Sequence, residues 1–475
     1  MKNQAFPRIE LLDEDQIRLI HQSSLRILST TGLKTDSALA YDLLSKATGK
    51  KGKNNTILIP PGLVEWAIES APSNIRIFNR QGKPAFQIGA DFVDNTVFGI
   101  GVTNTHYQDT ETGKVIPFAR EHMVQASRLG EYLGGFDLVS TIGIPSDVPV
   151  ASADLYGTLE MYANTIKPLV LLIINEQSVR SVFKMLTHLH GNLAEKPAVL
   201  IYVNPITPLI INESTVNKII IATEYGCPVV YSNYSMYGAT APIVPAGALA
   251  LMNAELLAGL VLCQLIKKGA PVILGSLPAS FDMKTMASPY TPQSFILNLA
   301  CAEMMAFYRL PHCGTSGSGG GWGPDLPAGD MLWINHLTSC LGKIGMAPFV
   351  GGNLESLVFS PATVIYSDQI IHKAREIARG LNIDGLRDSE KEILTVGPGG
   401  NFLTTLQTLK AFESPVPYET IWPSMSYEKW EGEGKPEASE RLQGYSSDLM
   451  KNLKPPEEYE NIIEKGEVFI GRLSK

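Results

Sequence analysis

The feature that most constrains this chain is a repeated pattern in which a short apolar run is followed by a stretch with helical spacing of apolar residues. The pattern occurs eight times within the 475 residues, and a last helical stretch at 363–380 follows the eighth run. Eight strands, each followed by a helix, predict a closed parallel (β/α)8 TIM barrel of the α/β class. An open doubly wound sheet is the alternative, but eight consecutive units without a Gly-x-Gly-x-x-Gly turn disfavour it. The predicted strands are 97–101, 136–142, 168–174, 198–203, 228–232, 271–275, 311–314 and 347–351.

The pattern divides the chain into three predicted regions, an N-terminal extension at 1–95, the barrel at 96–385 and a C-terminal extension at 386–475. Helical spacing at 13–31 and 37–47, followed by a strand, a helix and a strand at 56–60, 61–71 and 75–79, suggests that the first region covers one end of the barrel. The last region is rich in Pro, Gly and charge at 414–436 and has one amphipathic helix at 438–453. We expect it to pack back on the barrel.

Composition excludes several classes of protein. The formal net charge is −8 and no Lys/Arg-rich run is present, so nucleic acid is not an expected partner. The first residues lack the basic start and apolar core of a signal peptide. Asn253, Glu255 and Gln264 interrupt the most apolar stretch, which predicts a buried helix and no membrane span. Five widely spaced cysteines without a Cys-x-x-Cys pair are typical of reduced thiols, and we expect a cytoplasmic protein.

In a barrel of this kind the chemistry lies in the loops that follow the strands. Here those loops hold aromatic, hydroxyl and amide side chains and few charges, at 102–107, 204–208, 233–245, 277–282, 315–325 and 352–353. No Ser/His/Asp arrangement is recognisable, and Glu255, Asp282 and Asp325 do not form a pair of carboxylates. No metal site is expected, because His312 lacks companions.

The loop after the seventh strand is unusually rich in glycine. Its Gly319, Gly320 and Gly321 are the candidate cofactor-contacting positions. Their backbone amides could cradle a phosphate, although the Lys of a P-loop is missing, and their small size could equally allow a bulky planar group to approach.

Aromatic side chains with little charge suit a quaternary ammonium ion, which has no donor hydrogen and is held by the negative faces of rings. A wider set of seven aromatics, which also includes Tyr231 and Phe349, fits this requirement. The candidates chosen for a cation cage are Tyr234, Tyr237, Phe281, Trp322 and Phe359. Packing in the core is the competing interpretation for each, and it is weakest for Trp322, which is flanked by glycines.

Three segments resemble the trimethylamine methyltransferase family. They are 228–275, which contains Pro245-Ala246-Gly247 and Ala254-Glu255, then 204–209 and 396–403. The resemblance implies a (β/α)8 barrel that moves a methyl group from a methylamine to the cobalt of a corrinoid protein. Some family members carry pyrrolysine after the seventh strand, whereas this chain has ordinary residues at 327–329. It therefore resembles the branch that demethylates quaternary amines such as glycine betaine, proline betaine, carnitine or γ-butyrobetaine. Asn401 and Gln407 stand where the family pattern leads us to expect His.

The resemblance also implies partners and roles. The chain lacks an Asp-x-His-x-x-Gly cobalamin motif, so no cofactor is expected to be bound permanently, and the corrinoid (cobalamin) should arrive on a cognate partner protein. A homo-oligomer is also expected. Glu255 either approaches the cationic nitrogen or is a helix carboxylate satisfied by backbone amides. His312, Asn204 and Asn353 are candidates for the substrate carboxylate, and Asp325 for a helix cap.

Two other classes of function stay open at this point. A betaine-binding or sensor protein without catalytic activity could use the same barrel and the same cage. A metal-dependent hydrolase or lyase could use the fold with different loop chemistry.

Overall fold

Eight parallel strands close into one barrel in the computed structural model, which describes residues 4–49, 55–90, 96–315, 317, 320–413 and 420–473. The strands are β1 (Gln4–Ala5), β2 (Leu33–Thr35), β3 (Thr56–Ile57), β4 (Asn74–Phe78), β5 (Pro84–Gly89), β6 (Val97–Ile100), β7 (His106–Gln108), β8 (Val115–Pro117), β9 (Leu138–Ser140), β10 (Leu169–Leu171), β11 (Val199–Val203), β12 (Ile210–Ile211), β13 (Val229–Tyr237), β14 (Val272–Ser280), β15 (His312–Cys313), β16 (Met346–Val350), β17 (Gly352–Asn353), β18 (Val358–Phe359) and β19 (Leu381–Asn382).

The helices are α1 (Glu14–Thr30), α2 (Ala38–Thr48), α3 (Pro61–Ser70), α4 (Arg120–Tyr132), α5 (Ala153–Asn164), α6 (Val179–His190), α7 (Glu213–Glu224), α8 (Pro245–Ile266), α9 (Pro292–Phe307), α10 (Leu326–Leu341), α11 (Pro361–Arg379), α12 (Leu386–Val396), α13 (Leu406–Glu413), α14 (Tyr427–Gly432), α15 (Ala438–Asn452) and α16 (Tyr459–Leu473). Short 3-10 turns lie at Val150–Ser152 and Glu176–Ser178.

The barrel consists of β6, β9, β10, β11, β13, β14, β15 and β16, paired in that order and closed between β16 and β6. Each of the eight predicted strands is confirmed, and so is the TIM barrel. Two strands are longer than predicted: β13 and β14 stay paired from Val229 and Val272 to Tyr237 and Ser280. The continuous ladder satisfies their backbone groups, so much of the predicted loops after strands five and six is strand.

The inside of the barrel is filled by side chains that alternate along each strand. Leu200 and Tyr202 of β11 share one inner cluster with Val230 of β13 and Phe349 of β16. Residues between them face outward and pack against helices. At the amino-terminal end of the strands, the β4–β5 hairpin closes the barrel with Ile77 and other side chains that join the same cluster. The hairpin of the N-terminal extension therefore covers one end of the barrel, whereas α1 packs against the outer helix α8 through Ser24.

Helix α8 is the apolar helix of the core. Among the described residues it alone is long and apolar enough to cross a membrane, and 89% of its most apolar window is buried in the protein. It packs closely on β13, where a Cβ added at Gly259 would lie 2.1 Å from the ring of Tyr231. The five cysteines are free and buried.

The C-terminal region packs back on the barrel only in part. In α16, a Cβ added at Gly466 would meet Leu159 of α5 at 2.2 Å, and Glu467 of α16 pairs with Arg120. In contrast, the segment 381–412 contains no buried residue. Packing of the whole region was predicted; this segment is an exception, and 422–441 also contains no buried residue.

Candidate functional site

The carboxyl ends of the barrel strands surround an opening lined by aromatic and polar side chains. Leu200 and Tyr202 point into the barrel, so the strand alternation directs Asn204 into the opening as well. On β13 the same alternation places Tyr234 on the inward face with Val230. Tyr234 pairs in register with Leu277 of the neighbouring strand. We call this opening the mouth and define it by Tyr202, Asn204, Tyr234, Tyr290, Thr315 and Phe349.

The aromatic rings of the mouth lie at two depths. Tyr202 and Phe349 are buried at its floor, edge to face with ring centroids 4.9 Å apart. Tyr234 is 37% exposed nearer the opening, and its hydroxyl donates to Ser288 Oγ at 2.8 Å. Tyr290 interacts electrostatically with both Tyr202 and Tyr234 and hydrogen-bonds Thr315. The four rings therefore lie near one another at the mouth.

The phenol groups of the mouth are neutral at physiological pH. Burial raises the pKa of Tyr290 to about 12, and the hydrogen bond with Thr315 only partly opposes this shift. Burial also raises the pKa values of Tyr202 and Tyr234. A phenol that stays neutral at physiological pH still presents the negative face of its ring.

Asn204 has a fixed orientation. Its Nδ2 donates to the Ser232 carbonyl at 2.8 Å and to the Tyr202 hydroxyl at 3.2 Å. The carbonyl of Ser232 requires a donor, so the amide nitrogen must face it and Oδ1 points the other way. Both N–H groups are thereby used. Asn204 presents an acceptor to the mouth, which suits a cation better than the substrate carboxylate for which its sequence position made it a candidate.

A loop with unusual backbone angles brings a carboxylate to the edge of the mouth. Leu354, Glu355 and Ser356 have φ values of 50°, 59° and 67°, a region that residues with side chains seldom occupy three times in succession. Bonds from the Leu354 amide to Gly321 O at 3.0 Å and from Asn104 Nδ2 to Ser356 O at 2.8 Å hold this backbone. Glu355 Oε1 accepts from the Ser288 amide at 3.3 Å and lies close enough to Tyr234 to influence its pKa.

Glu255 lies outside the barrel wall, buried between α8 and β13. It accepts from the Leu209 amide at 2.8 Å, from the Thr207 hydroxyl at 3.0 Å and from Asn233 Nδ2 at 2.8 Å. Burial raises its pKa to about 7, and the three donors oppose that rise. It thus fixes the backbone that follows Asn204, which agrees with the interpretation of a helix carboxylate satisfied by hydrogen bonds.

The structure does not bring the five predicted cage residues together. Tyr234 lines the mouth, but Tyr237 is buried with its hydroxyl bonded to Thr291, and Phe359 is fully buried beside Tyr107. Phe281 is half-buried just past the end of β14. Trp322 is 74% exposed outside the mouth. Buried core packing therefore accounts for Tyr237 and Phe359, as the competing interpretation allowed.

The two other candidates for the substrate carboxylate are also buried elsewhere. His312 pairs in register with Leu274, whose side chain packs outside the barrel, so its ring points away from the mouth. Burial lowers the pKa of His312 to about 3, which leaves it neutral and unable to pair with an anion as a cation. Asn353 is fully buried, and its Nδ2 donates to Thr363 Oγ1 at 2.9 Å.

The glycines after the seventh strand allow this loop to pack closely against the start of α10. A Cβ at Gly320 would lie 3.0 Å from Met331, and one at Gly321, where φ is +78°, would lie 2.6 Å from Ala328. These contacts to the chain's own helix explain both residues without a cofactor; Gly319 lies outside the described residues. Asp325 caps that helix through the Ala328 amide at 2.9 Å, as predicted.

Sequence reasoning missed Tyr202, Tyr290, Thr315 and Glu355 and set Phe349 aside. One signal was available, because Tyr202 stands two residues before Asn204 on a predicted strand and therefore faces the same side. No comparable signal marks Tyr290 or Glu355, which depend on loop conformation. In the part of the chain that the structure describes, no three His, Cys, Asp or Glu side chains converge as metal ligands would.

Comparisons with known proteins agree with this architecture. Trimethylamine methyltransferase MttB of Desulfitobacterium hafniense DCB-2 is 27% identical over 448 residues, which cover 93% of this chain and 89% of the relative. Glycine betaine methyltransferase of Desulfitobacterium hafniense Y51 is 27% identical over 486 residues, which cover 99% and 98%.

Among solved structures, the Methanosarcina barkeri monomethylamine methyltransferase superposes with a TM-score of 0.57 at 8% identity, covering 94% of this chain and 89% of that one. At that identity the likeness shows the fold alone. The sequence profile of the family described as Trimethylamine methyltransferase (MTTB) matches residues 1–474. The chain belongs to the trimethylamine methyltransferase (MTTB) family.

Proposed function

We propose that this protein transfers a methyl group from a quaternary amine, with glycine betaine as the first candidate, to the cobalt(I) corrinoid of a partner protein. The observation that carries the proposal is the mouth itself, where four neutral aromatic rings converge beside two oxygen acceptors. Membership of a methyltransferase family and the full-length similarity to a glycine betaine methyltransferase support it.

The mouth favours a cation that cannot donate a hydrogen bond. Ring faces attract such an ion by about 0.5–2 kcal/mol each, depending on desolvation. The Oδ1 atom of Asn204 and the carboxylate of Glu355 add partial and full negative charge near the opening. None of the residues that define the mouth carries a basic side chain that would repel the ion.

The reaction needs orientation more than proton transfer. The cobalt(I) substrate supplies the electron pair for the new cobalt–methyl bond, and the carbon–nitrogen pair leaves with a neutral tertiary amine. No proton moves, which matches a mouth without a general acid at its floor. The rings hold the ammonium in one position, and burial of Tyr202 and Phe349 keeps water from the floor.

The surroundings of the mouth support a macromolecular partner. Exposed apolar side chains stand in all eight loops that follow the barrel strands, and eight of these side chains, from seven of the loops, form one set around the mouth. This set, the rim, consists of Val150, Ile174, Ile206, Ile243, Met283, Met286, Trp322 and Leu357. Apolar residues that encircle an opening are typical of a protein-docking surface. We therefore assign Trp322 to the rim and not to the cation cage.

Binding of quaternary amines to single-residue variants tests the cage. We expect Tyr234→Leu and Tyr290→Leu, which keep apolar volume but lose a ring, to weaken glycine betaine binding about 3- to 30-fold, one ring's contribution. Tyr234→Phe should retain the affinity. Trp322→Ala is the matched control and should bind as the parent does. Titration calorimetry with unchanged affinity in both Leu variants would show that the mouth is not the binding site.

A betaine-binding or sensor protein is the second candidate, because the cage alone would serve it equally well. The rim distinguishes the two functions, since binding without transfer needs no carrier at the opening. Tight betaine binding without methyl transfer would favour the sensor.

A further inference from the structure

A pocket of about 340 Å³ lies in the C-terminal region, between the segment that leads into α14 and the start of α15. Its lining is mostly aromatic and apolar, and it includes Trp422, Met425, Tyr427, Trp430, Glu437 and Arg441. We call it the C-terminal pocket. None of these residues is buried in the protein, so the pocket is open to solvent and its rings are accessible to a ligand.

The C-terminal pocket lies beside the end of the barrel that carries the mouth. Ser439, in the first turn of α15, lines a neighbouring pocket together with Gln108 and Ser360. Gln108 follows the first barrel strand and Ser360 follows the eighth, so both mark the carboxyl ends of the strands. Trp422 also packs edge to face on Tyr366 of α11, with ring centroids 5.4 Å apart. The pocket is therefore near the mouth but outside the barrel.

Hydrogen bonds to the backbone fix both indole rings of the pocket. Trp422 Nε1 donates to the Ala438 carbonyl at 3.0 Å. Trp430 Nε1 donates to the Pro436 carbonyl at 3.3 Å. The ring of Tyr427 lies next to Trp430, with centroids 6.2 Å apart. An indole has a single N–H donor, so these two rings offer a ligand their π faces and no hydrogen bond.

A cation of the chain itself already approaches one of these rings. Lys435 Nζ lies 5.9 Å from the centroid of the Trp430 ring, a distance at which the negative face of an indole attracts an ammonium. The same ammonium pairs with Glu431 at 3.2 Å. The Tyr427 hydroxyl donates to that carboxylate at 3.1 Å, so this donor is engaged as well.

The charges around the pocket also favour a cation. Five acidic and three basic residues stand between 422 and 441. Glu437 precedes α15 and lines the pocket, and its side chain makes no cap bond to that helix. Arg441, the basic residue of the lining, donates from Nε to the Ile421 carbonyl at 3.1 Å and pairs with Glu433 at 3.7 Å. The positive charge of Arg441 is thereby offset, whereas Glu437 adds negative charge at the pocket.

Three accessible rings, engaged donors and one carboxylate suit a cation that has no hydrogen-bonding group on its nitrogen. A quaternary ammonium ion is such a cation, and aromatic cages are the usual way in which proteins bind it. We propose that the C-terminal pocket binds a quaternary ammonium ion, as a second site separate from the mouth. This site uses no cobalt and no residue of the mouth, so it goes beyond methyl transfer and does not depend on it.

Fluorine NMR of the full chain labelled with fluorotryptophan tests the proposal, because two of the five tryptophans line the pocket. Trp422→Phe and Trp430→Phe assign the two resonances. Choline is the probe, and it should shift both resonances of the parent saturably. The uncharged isostere of choline, in which a tert-butyl group replaces the trimethylammonium, should bind at least tenfold more weakly, because it keeps the shape but loses the attraction to three rings.

Variants separate this site from the mouth. Tyr427→Leu removes one exposed ring and should weaken choline binding, read at Trp430, by about 2- to 5-fold. Tyr132→Leu is the matched control, since Tyr132 of α4 is 57% exposed and Tyr427 is 63% exposed, and it should titrate as the parent does. Tyr234→Leu alters the mouth and should also leave the titration at Trp430 unchanged.

Three results would overturn the proposal. The first is a parent whose Trp422 and Trp430 resonances do not respond to choline, including one in which a proline-rich peptide shifts them instead. The second is an isostere that binds as tightly as choline. The third is a response that Tyr234→Leu abolishes, because the shifts would then originate in the mouth. A Trp430 titration in a protein whose mouth binds no quaternary amine would contradict the proposed function alone.

Discussion

Side chains at the carboxyl ends of the strands give the mouth its character. Tyr202 and Phe349 form an apolar floor, while Tyr234 and Tyr290 stand nearer the opening as neutral phenols. Asn204 is locked with its oxygen free, because Ser232 and Tyr202 take both of its amide protons. This set of groups can attract a positive charge but has little to offer an anion.

The orientation of Asn204 yields a discriminating prediction. Asn204→Ala removes Oδ1 and frees the Tyr202 hydroxyl, so we expect it to weaken glycine betaine and choline by a similar factor, about tenfold for a hydrogen-bonding group near a charge. Asn353→Ala is the control, since Asn353 is buried beside Thr363. Calorimetric titration with both ligands measures the factors. If Asn204→Ala weakened the binding of glycine betaine but not of choline, Asn204 would instead contact the substrate carboxylate.

Glu255 should make stability depend on pH. Its folded pKa is about 7 against an ordinary value of 4.5, so between these values the folded protein keeps a proton that the unfolded chain has lost. The free energy of unfolding therefore falls as pH rises through this window, by about 3 kcal/mol over the whole shift. Glu255→Gln cannot titrate and should lack this fall.

Urea unfolding at pH 5 and pH 8 measures the difference. Glu303→Gln is a suitable control, because Glu303 also accepts backbone N–H bonds, from Leu11 and Leu12, and it should keep the fall of the parent. Identical pH dependence in Glu255→Gln and the parent would contradict the assignment.

At the scale of elements, the sequence predicts the strands well and their ends less well. Every barrel strand has an apolar run that identifies it. Residues 233–237 and 276–280, however, are predicted to be loop because they are rich in Ser, Tyr and Pro. Mutual pairing of β13 and β14 overrides that local preference. The five predicted cage residues do not come together for a related reason: because 233–237 is strand, Tyr234 and Tyr237 lie on opposite faces of β13.

Contact between α8 and β13 gives a prediction for one glycine. Alanine usually stabilises a helix by about 1 kcal/mol relative to glycine. At Gly259, however, the new methyl would meet Tyr231 at 2.1 Å, so Gly259→Ala should destabilise by about 1–3 kcal/mol. Gly444→Ala in α15, which has open space around it, should be neutral or stabilising. Thermal unfolding compares the two, and a stabilised Gly259→Ala would refute the close packing.

At the scale of the molecule, the two ends of the barrel have different tasks. The β4–β5 hairpin seals one end. The other end opens into the mouth and is ringed by the rim. Length and periodicity in the sequence were enough for the barrel and its N-terminal cover. They could not predict the exposure of the segment 381–412, because its apolar residues are spaced as in any helix that packs on its own chain.

Methyl transfer to free cob(I)alamin tests the central claim most directly. The protein is mixed anaerobically with glycine betaine and cob(I)alamin, and the corrinoid spectrum and dimethylglycine are followed together. The proposal predicts equal amounts of methylated corrinoid and dimethylglycine, formed faster than without protein and faster than from trimethylamine. A protein that binds glycine betaine but forms neither product, or that uses only trimethylamine, would contradict the account.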